Sequence, residues 1–356
     1  MAIHGADVWK DGQLMSVLDF SSNVNPLAPP KGLMGDLRRS VKLSKYYPEP
    51  DARSARSALA TFHGQNIHPE NVVVGNGANE LIHLVFEAAK PGKALIIAPT
   101  YSEYEHAAIG HGHEPYFHVV SYPFRTNLEE ISLEKGTSLV VICNPNNPTG
   151  ELLRREDVLS FHDRVLRSGA VLMVDEVHMD LSDGEGESVI GDAAKREGLI
   201  VLRSLTKLLG VPGLRIGYSV SSIGWAKKMD SVRPSWNVNV LATELVKRWL
   251  DADFFKRSQS YAKKEREYLT RALASLGLEA IPSRADYLLV KLEGIRSWEL
   301  KEELLKRGIL IRDASSIRGL DENYVRIGTL SHKKNALLIS ALREILNQRP
   351  LSSASA

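Results

Sequence analysis

Short apolar runs alternate with helix-period stretches through the middle of this 356-residue chain. Val72–Val74, Ala94–Ala98, Leu139–Ile142, Val171–Val174, Leu199–Leu202 and Ile216–Val220 predict strands, and amphipathic stretches such as Glu80–Ala89 and Arg155–Arg167 lie between several of them. Strands this apolar need cover on both faces, so the pattern predicts an α/β domain around a mostly parallel sheet. Ligands bind beyond the carboxyl ends of the strands in such a sheet. The unusual loops fall there: Gly75-Asn-Gly-Ala-Asn79, Asn144-Pro-Asn-Asn-Pro-Thr-Gly150, Asp175-Glu176 and Lys207 each follow a predicted strand.

From about Val240 to Ala274 a charged helical pattern leads away from the sheet. Asp286–Leu292, Gly308–Arg312 and Tyr324–Gly328 then read as strands, with Trp298–Arg307 and Lys333–Leu346 as helices. This predicts a smaller α+β domain. The expected organisation is an amino-terminal segment 1–40 joining the small domain, a large domain 41–240, a small domain 241–350 and a frayed tail 351–356.

Composition narrows the function classes. Lys plus Arg number 45 against 43 for Asp plus Glu, a formal charge of +2 that points to neither nucleic acid nor a membrane surface as partner. No apolar run approaches the roughly 18 residues needed to cross a bilayer. The single cysteine, Cys143, allows no internal disulfide and suits a reducing compartment, so the expected location is cytoplasmic. The eleven histidines include no His-x-x-x-His with a carboxylate companion, so no metal site is expected.

The candidate chemistry centres on Arg203-Ser-Leu-Thr-Lys207, followed by Gly213-Leu-Arg-Ile-Gly-Tyr218. A lysine at the end of an apolar strand can be desolvated, which favours its neutral, nucleophilic amine. Ser204, Thr206 and Arg215 read as phosphate ligands beside it. A cofactor with both an aldehyde and a phosphate is pyridoxal 5′-phosphate (PLP); the alternative is a surface lysine near a loop. The glycines before Ala78 and Asn79 open a helix whose amides can hold a phosphate, or they form a plain turn. As a dinucleotide fingerprint the stretch fails, because Glu80 stands where a third glycine is required.

Asp175, at a buried strand end, needs a cationic partner, which a protonated pyridine would supply. Asp-Glu after a strand also suits a magnesium ligand of a nucleotide hydrolase, but no Gly-x-x-x-x-Gly-Lys-[Ser/Thr] accompanies it. Two prolines stiffen the Asn144–Gly150 loop, whose amides can reach a polar ligand edge. Tyr101 can stack on a planar ring or pack in the core. Arg312 and Arg326, at strand ends of the small domain, can clamp an anionic substrate or lie solvated. His4, Asn23 and Asn25 occupy a loop-like start.

With Asn147-Pro-Thr-Gly150, Asp175, Ser204-x-x-Lys207, Arg215 and Arg326 in this order, nearly the whole chain resembles fold-type I PLP enzymes. Within them it is similar to the branch of histidinol-phosphate aminotransferase and L-threonine-O-3-phosphate decarboxylase. The resemblance implies that Lys207 carries PLP as an imine, Asp175 pairs with the pyridine nitrogen and Asn147 bonds the ring O3′. It further implies that Ala78, Asn79, Ser204 and Arg215 hold the phosphate, that Tyr101 stacks on the ring, and that His178 lies near O3′, donating a hydrogen bond or packing. Tyr47 would reach the phosphate site of a neighbouring subunit, implying a homodimer with shared active sites.

His4-Gly5 and the Asp19–Leu27 stretch with Asn23-Val-Asn-Pro26 look like the decarboxylase opening. Ala6, Tyr101 and His178 depart from that pattern. The implied substrate is a small phosphorylated amino acid held by His4, Gly5, Asn23, Asn147, Arg312 and Arg326. The implied reaction is decarboxylation of O-phospho-L-threonine for the cobalamin side arm, with histidinol-phosphate:2-oxoglutarate aminotransfer as the alternative. A PLP-binding regulator with a fused DNA-binding domain is not expected, given the near-neutral charge and the lack of a helix-turn-helix pattern in this sequence.

Overall fold

The computed structural model describes Gly5 and residues 7–64 and 66–348. Seven strands form the large sheet: β1 (Val72–Gly75), β2 (Lys93–Ala98), β3 (Glu114–Val119), β4 (Thr137–Cys143), β5 (Val171–Asp175), β6 (Leu199–Ser204) and β7 (Gly217–Ser221). Their order across the sheet is β1-β7-β6-β5-β4-β2-β3. The neighbours from β6 through β3 pair in parallel, whereas β7 runs antiparallel to both β1 and β6. That reversal has a consequence for the site. The residues just before β7 reach the same sheet edge as those just after β1, β5 and β6.

Side chains alternate between two cores, as period 2 requires. Val72, Val74, Val140, Leu172, Val174 and Val201 face one cluster, and Val73, Leu139, Val141, Met173, Ile200 and Leu202 face the other. Helices Ala78–Ala88 and Ile223–Val232 contribute to the second cluster, while Arg155–Arg167 and Val240–Trp249 contribute to the first. The edge strand β3 is absent from the predicted set because its sequence, Glu-Pro-Tyr-Phe-His-Val, has polar residues and a proline. An edge tolerates both.

The smaller unit has an antiparallel sheet in which Tyr287–Lys291 pairs with Tyr324–Gly328, flanked by Glu279–Ala280 and Arg312–Asp313. The predicted strand Gly308–Arg312 is divided. Ile309–Leu310 pairs in parallel with the amino-terminal Leu18–Asp19, and Arg312–Asp313 pairs with Tyr324–Gly328. Phe20 packs in this unit's core, whereas Leu33, Ala242 and Phe255 belong to the large-sheet cluster. The long helical pattern is likewise two helices, Val240–Trp249 and Ala252–Ala274, the second capped by the Asp251 carboxylate.

Candidate active site

The two units face each other across a cleft with an empty volume of about 1030 Å³, part of it open to solvent. Its large-domain wall begins at the helix Ala78–Ala88. No side chain caps that helix, so the amide groups of its first turn are available to an anion. Gly77 (φ +83°) makes this possible, because a side chain there would collide with the Arg215 guanidinium. Arg215 itself adopts a left-handed conformation (φ 55°) and reaches this corner from just before β7. Ser204 Oγ and Thr206 Oγ1, 2.7 Å apart, complete a cup of neutral and cationic donors.

Asp175 ends β5 at the cleft floor. Its Oδ2 accepts a 2.6 Å hydrogen bond from Tyr104 and its Oδ1 one of 2.9 Å from the Val177 amide. Burial pushes its pKa up, opposed by Tyr104, Val177 and His178. A cation bound here would relieve that cost. Glu176 turns the other way and accepts from Arg203, Ser188 and Val189, so Asp175 and Glu176 do not form a shared cation site.

Lys207 lies one turn beyond β6, on Leu205–Leu208. Burial first, then the positive charges of Arg326 and Arg215, lower its pKa to about 8 despite the attraction of Asp286. Its carbonyl accepts the Asn25 amide, which ties the Asn23-Val-Asn-Pro26 segment to the lysine turn. Tyr101 lines the cleft beside Asn79, edge-on to Tyr104 with ring centroids 5.7 Å apart.

The small-domain wall is cationic. Arg312 and Arg326 stand directly opposite each other on adjoining antiparallel strands and both line the cleft. Arg326 donates to Asn147 Oδ1 (2.6 Å) and to the Ser21 carbonyl, and its Nε has no acceptor. Arg312 donates to Ser316 Oγ at 3.1 Å. Gly5 fits against the Ser21 carbonyl where a side chain would clash. Asn23 is buried in the same wall with its Oδ1 unbonded.

The cleft therefore brings together Ala78, Asn79, Tyr101, Asn147, Asp175, His178, Ser204, Lys207, Arg215, Gly5, Asn23, Arg312 and Arg326. It does not include Tyr47, which is 84% exposed and packs against Trp236 at 5.3 Å between centroids. His4 lies outside the described residues, as do Ala6 and the tail 351–356. Sequence reasoning missed Tyr104 and Asp286. Tyr104 was legible only as the residue one helical turn beyond Tyr101.

A family model described as aminotransferase class I and II matches residues 16–342. The chain belongs to that family. Family members are PLP-dependent, and the residues described here fit that cofactor: a glycine-opened phosphate cup, a buried carboxylate short of a cation and a lysine with a lowered pKa. The architecture is that of the fold-type I PLP enzymes. One relative, from Caldanaerobacter subterraneus subsp. tengcongensis, bears the provisional name threonine-phosphate decarboxylase and is 34% identical over 335 residues, 92% of this chain and 90% of its own. The solved L-threonine-O-3-phosphate decarboxylase of Porphyromonas gingivalis superposes with a TM-score of 0.84 at 30% identity, covering 93% of this chain and all (100%) of that one. The histidinol-phosphate aminotransferase of Clostridium acetobutylicum gives a TM-score of 0.86 at 29% identity, covering 94% of this chain and 100% of its own. This family member thus resembles enzymes that break different bonds. Among the described residues, no helix is long and apolar enough to cross a membrane.

Proposed function

We propose that this family member decarboxylates O-phospho-L-threonine, releasing carbon dioxide and forming (R)-1-amino-2-propanol phosphate. The observation that carries the reading is the Arg312–Arg326 pair. Like charges directly opposite on adjoining strands repel, and burial makes the repulsion costlier. A ligand with two anionic groups close together offsets that cost. Phosphothreonine has a carboxylate and a phosphate on neighbouring carbons, whereas histidinol phosphate has a phosphate alone and 2-oxoglutarate carries its two carboxylates at opposite ends of a five-carbon chain.

In this reading Lys207 would attach the cofactor, Asp175 would keep its pyridine nitrogen protonated, and Asn147 and Tyr101 would border its ring. Ala78, Asn79, Ser204, Thr206 and Arg215 hold its phosphate. The bound cofactor supplies an electron sink for the bond broken at the substrate Cα. Arg312, Arg326, Asn23 and Gly5 fix the two anionic ends of the substrate and so decide which Cα bond is presented for cleavage. The Lys207 amine would return a proton to the substrate Cα. Tyr47, exposed and remote from its own cleft, is assigned to the phosphate site of a second copy in a homodimer. The free, buried Cys143 thiol fits a reducing, cytoplasmic setting.

The test is incubation with O-phospho-L-threonine in the absence of any oxo acid, reading carbon dioxide. Release at a rate well above that with free threonine supports the decarboxylase. Turnover of histidinol phosphate that requires 2-oxoglutarate, with no carbon dioxide from phosphothreonine, transfers the reading to the aminotransferase.

A further inference from the structure

Asp286 has no role in the account above, yet it stands in an unusual place. It precedes the strand Tyr287–Lys291, is fully buried and does not line the cleft. Both its carboxylate oxygens lack a hydrogen bond. His178, which follows β5 and does line the cleft, faces it: Nδ1 lies 3.3 Å from Asp286 Oδ1, and Nδ1 too is buried without another partner. A buried carboxylate without a donor is costly, as is an unbonded buried imidazole nitrogen. One proton between them satisfies both.

The surroundings hold the two groups in this relation. The Asp286 carbonyl accepts from the Thr329 amide and hydroxyl at 2.8 and 3.0 Å. The imidazole stands edge-on to Tyr287 with centroids 4.9 Å apart, and the Tyr287 hydroxyl donates to the Asn146 carbonyl at 2.9 Å. The charged neighbours are Asp175, whose pKa His178 helps to lower, and Lys207 and Arg326, which Asp286 acts to raise.

We propose that Asp286 is a positioning residue for His178. It accepts the Nδ1 proton and thereby fixes the imidazole with Nε2 as the nitrogen open to the cleft, a hydrogen-bond acceptor for the ligand held there. A carboxylate selects the tautomer of a catalytic histidine in the same way in serine hydrolases. The inference rests on family membership and the cleft, and it is independent of which Cα bond the enzyme breaks.

Two measurements test it. Nitrogen-15 NMR of histidine-labelled holoenzyme, with H178F to assign the signals, should find the neutral His178 ring protonated at Nδ1. In D286N the proton should move to Nε2, because the asparagine amide can donate to Nδ1. A wild-type proton on Nε2, or an unchanged pattern in D286L, which offers Nδ1 no acceptor, overturns the proposal. In a double-mutant cycle, D286N should lower kcat by at least about tenfold beside His178 and by less than about twofold in the H178F background. Equal losses in both backgrounds would mean that Asp286 acts on Lys207 directly through its charge, which also overturns it. D286L, with the same branched outline, also replaces D286N in the cycle if the latter fails to fold, with unfolding temperature and cofactor content as controls. The NMR result needs no substrate, so its failure is separable from failure of the decarboxylase reading.

Discussion

Arg203 and Arg326 are both buried guanidiniums on sheet strands, and their surroundings are opposite. Arg203 is enclosed by acids: Glu176 at 2.9 Å, Glu185 at 3.1 Å and Asp180, with the Ser188 hydroxyl beside them. Burial works against its charge, but Glu185, Asp180 and Glu176 together hold its pKa well above the usual arginine range. Arg326 meets neutral oxygens of Asn147 and Ser21. Burial and then Arg312 repulsion lower its pKa to about 10, outweighing the pull of Tyr287 and Asp286. The difference separates two uses of buried charge. Arg203 is neutralised within the protein and joins the ends of β5 and β6, which carry Asp175 and lead to Lys207. Arg326 is left for a ligand to neutralise.

The largest expected effect breaks the first half of that contrast. Arg203→Met leaves three carboxylates around a neutral side chain, and should lower stability by about 3–5 kcal/mol in chemical denaturation. A loss under about 1 kcal/mol would show that the acids rearrange or protonate without cost. The second effect concerns activity. Arg326→Met should reduce kcat/KM for O-phospho-L-threonine about 10- to 100-fold, the value of one charge-assisted hydrogen bond, while changing stability by less than about 1 kcal/mol. If its unfolding midpoint drops as far as that of Arg203→Met, the two arginines do the same job.

A pH experiment sharpens the contrast further. Only the neutral amine of Lys207 attacks the cofactor aldehyde, so attachment to the apoprotein should quicken about tenfold per pH unit at low pH. It should level off near pH 8, where Lys207 loses its proton. An ordinary lysine would continue to gain past pH 10. Because Arg326 helps to lower the Lys207 pKa, Arg326→Met should move the levelling point to higher pH, read from the rate of cofactor absorbance change. The smallest effect is expected for Arg312→Lys, which keeps the charge and loses the forked geometry. It should raise KM several-fold, by about 1 kcal/mol, with the cofactor still bound to Lys207.

Much of this was legible in the sequence wherever a role follows from a strand end. The apolar runs ending at Val74, Ile142, Val174 and Leu202 are continuous, and the residues after them carry chemistry that the same sheet edge collects. What could not be read depends on partners remote in sequence. Ile309–Leu310 leaves the small sheet because its partner is Leu18–Asp19, and nothing local to either segment records that pairing. Tyr104 reads as a core aromatic until Asp175 is placed beneath it, and Asp286 reads as an ordinary strand-end acid until burial removes its water. Tyr47 was assigned by resemblance alone, and in a single chain it meets Trp236 and solvent.

The central claim is that the paired arginines present the carboxylate of a phosphorylated amino acid for cleavage. Its most direct measurement is proton NMR of the product formed from O-phospho-L-threonine in deuterium oxide without an oxo acid. The account predicts 1-amino-2-propanol phosphate with one deuterium, stereospecifically placed, on the former α-carbon, together with an equal amount of carbon dioxide. Phosphothreonine recovered with its carboxylate intact, and an oxo acid formed only when an amino-group acceptor is added, would contradict it.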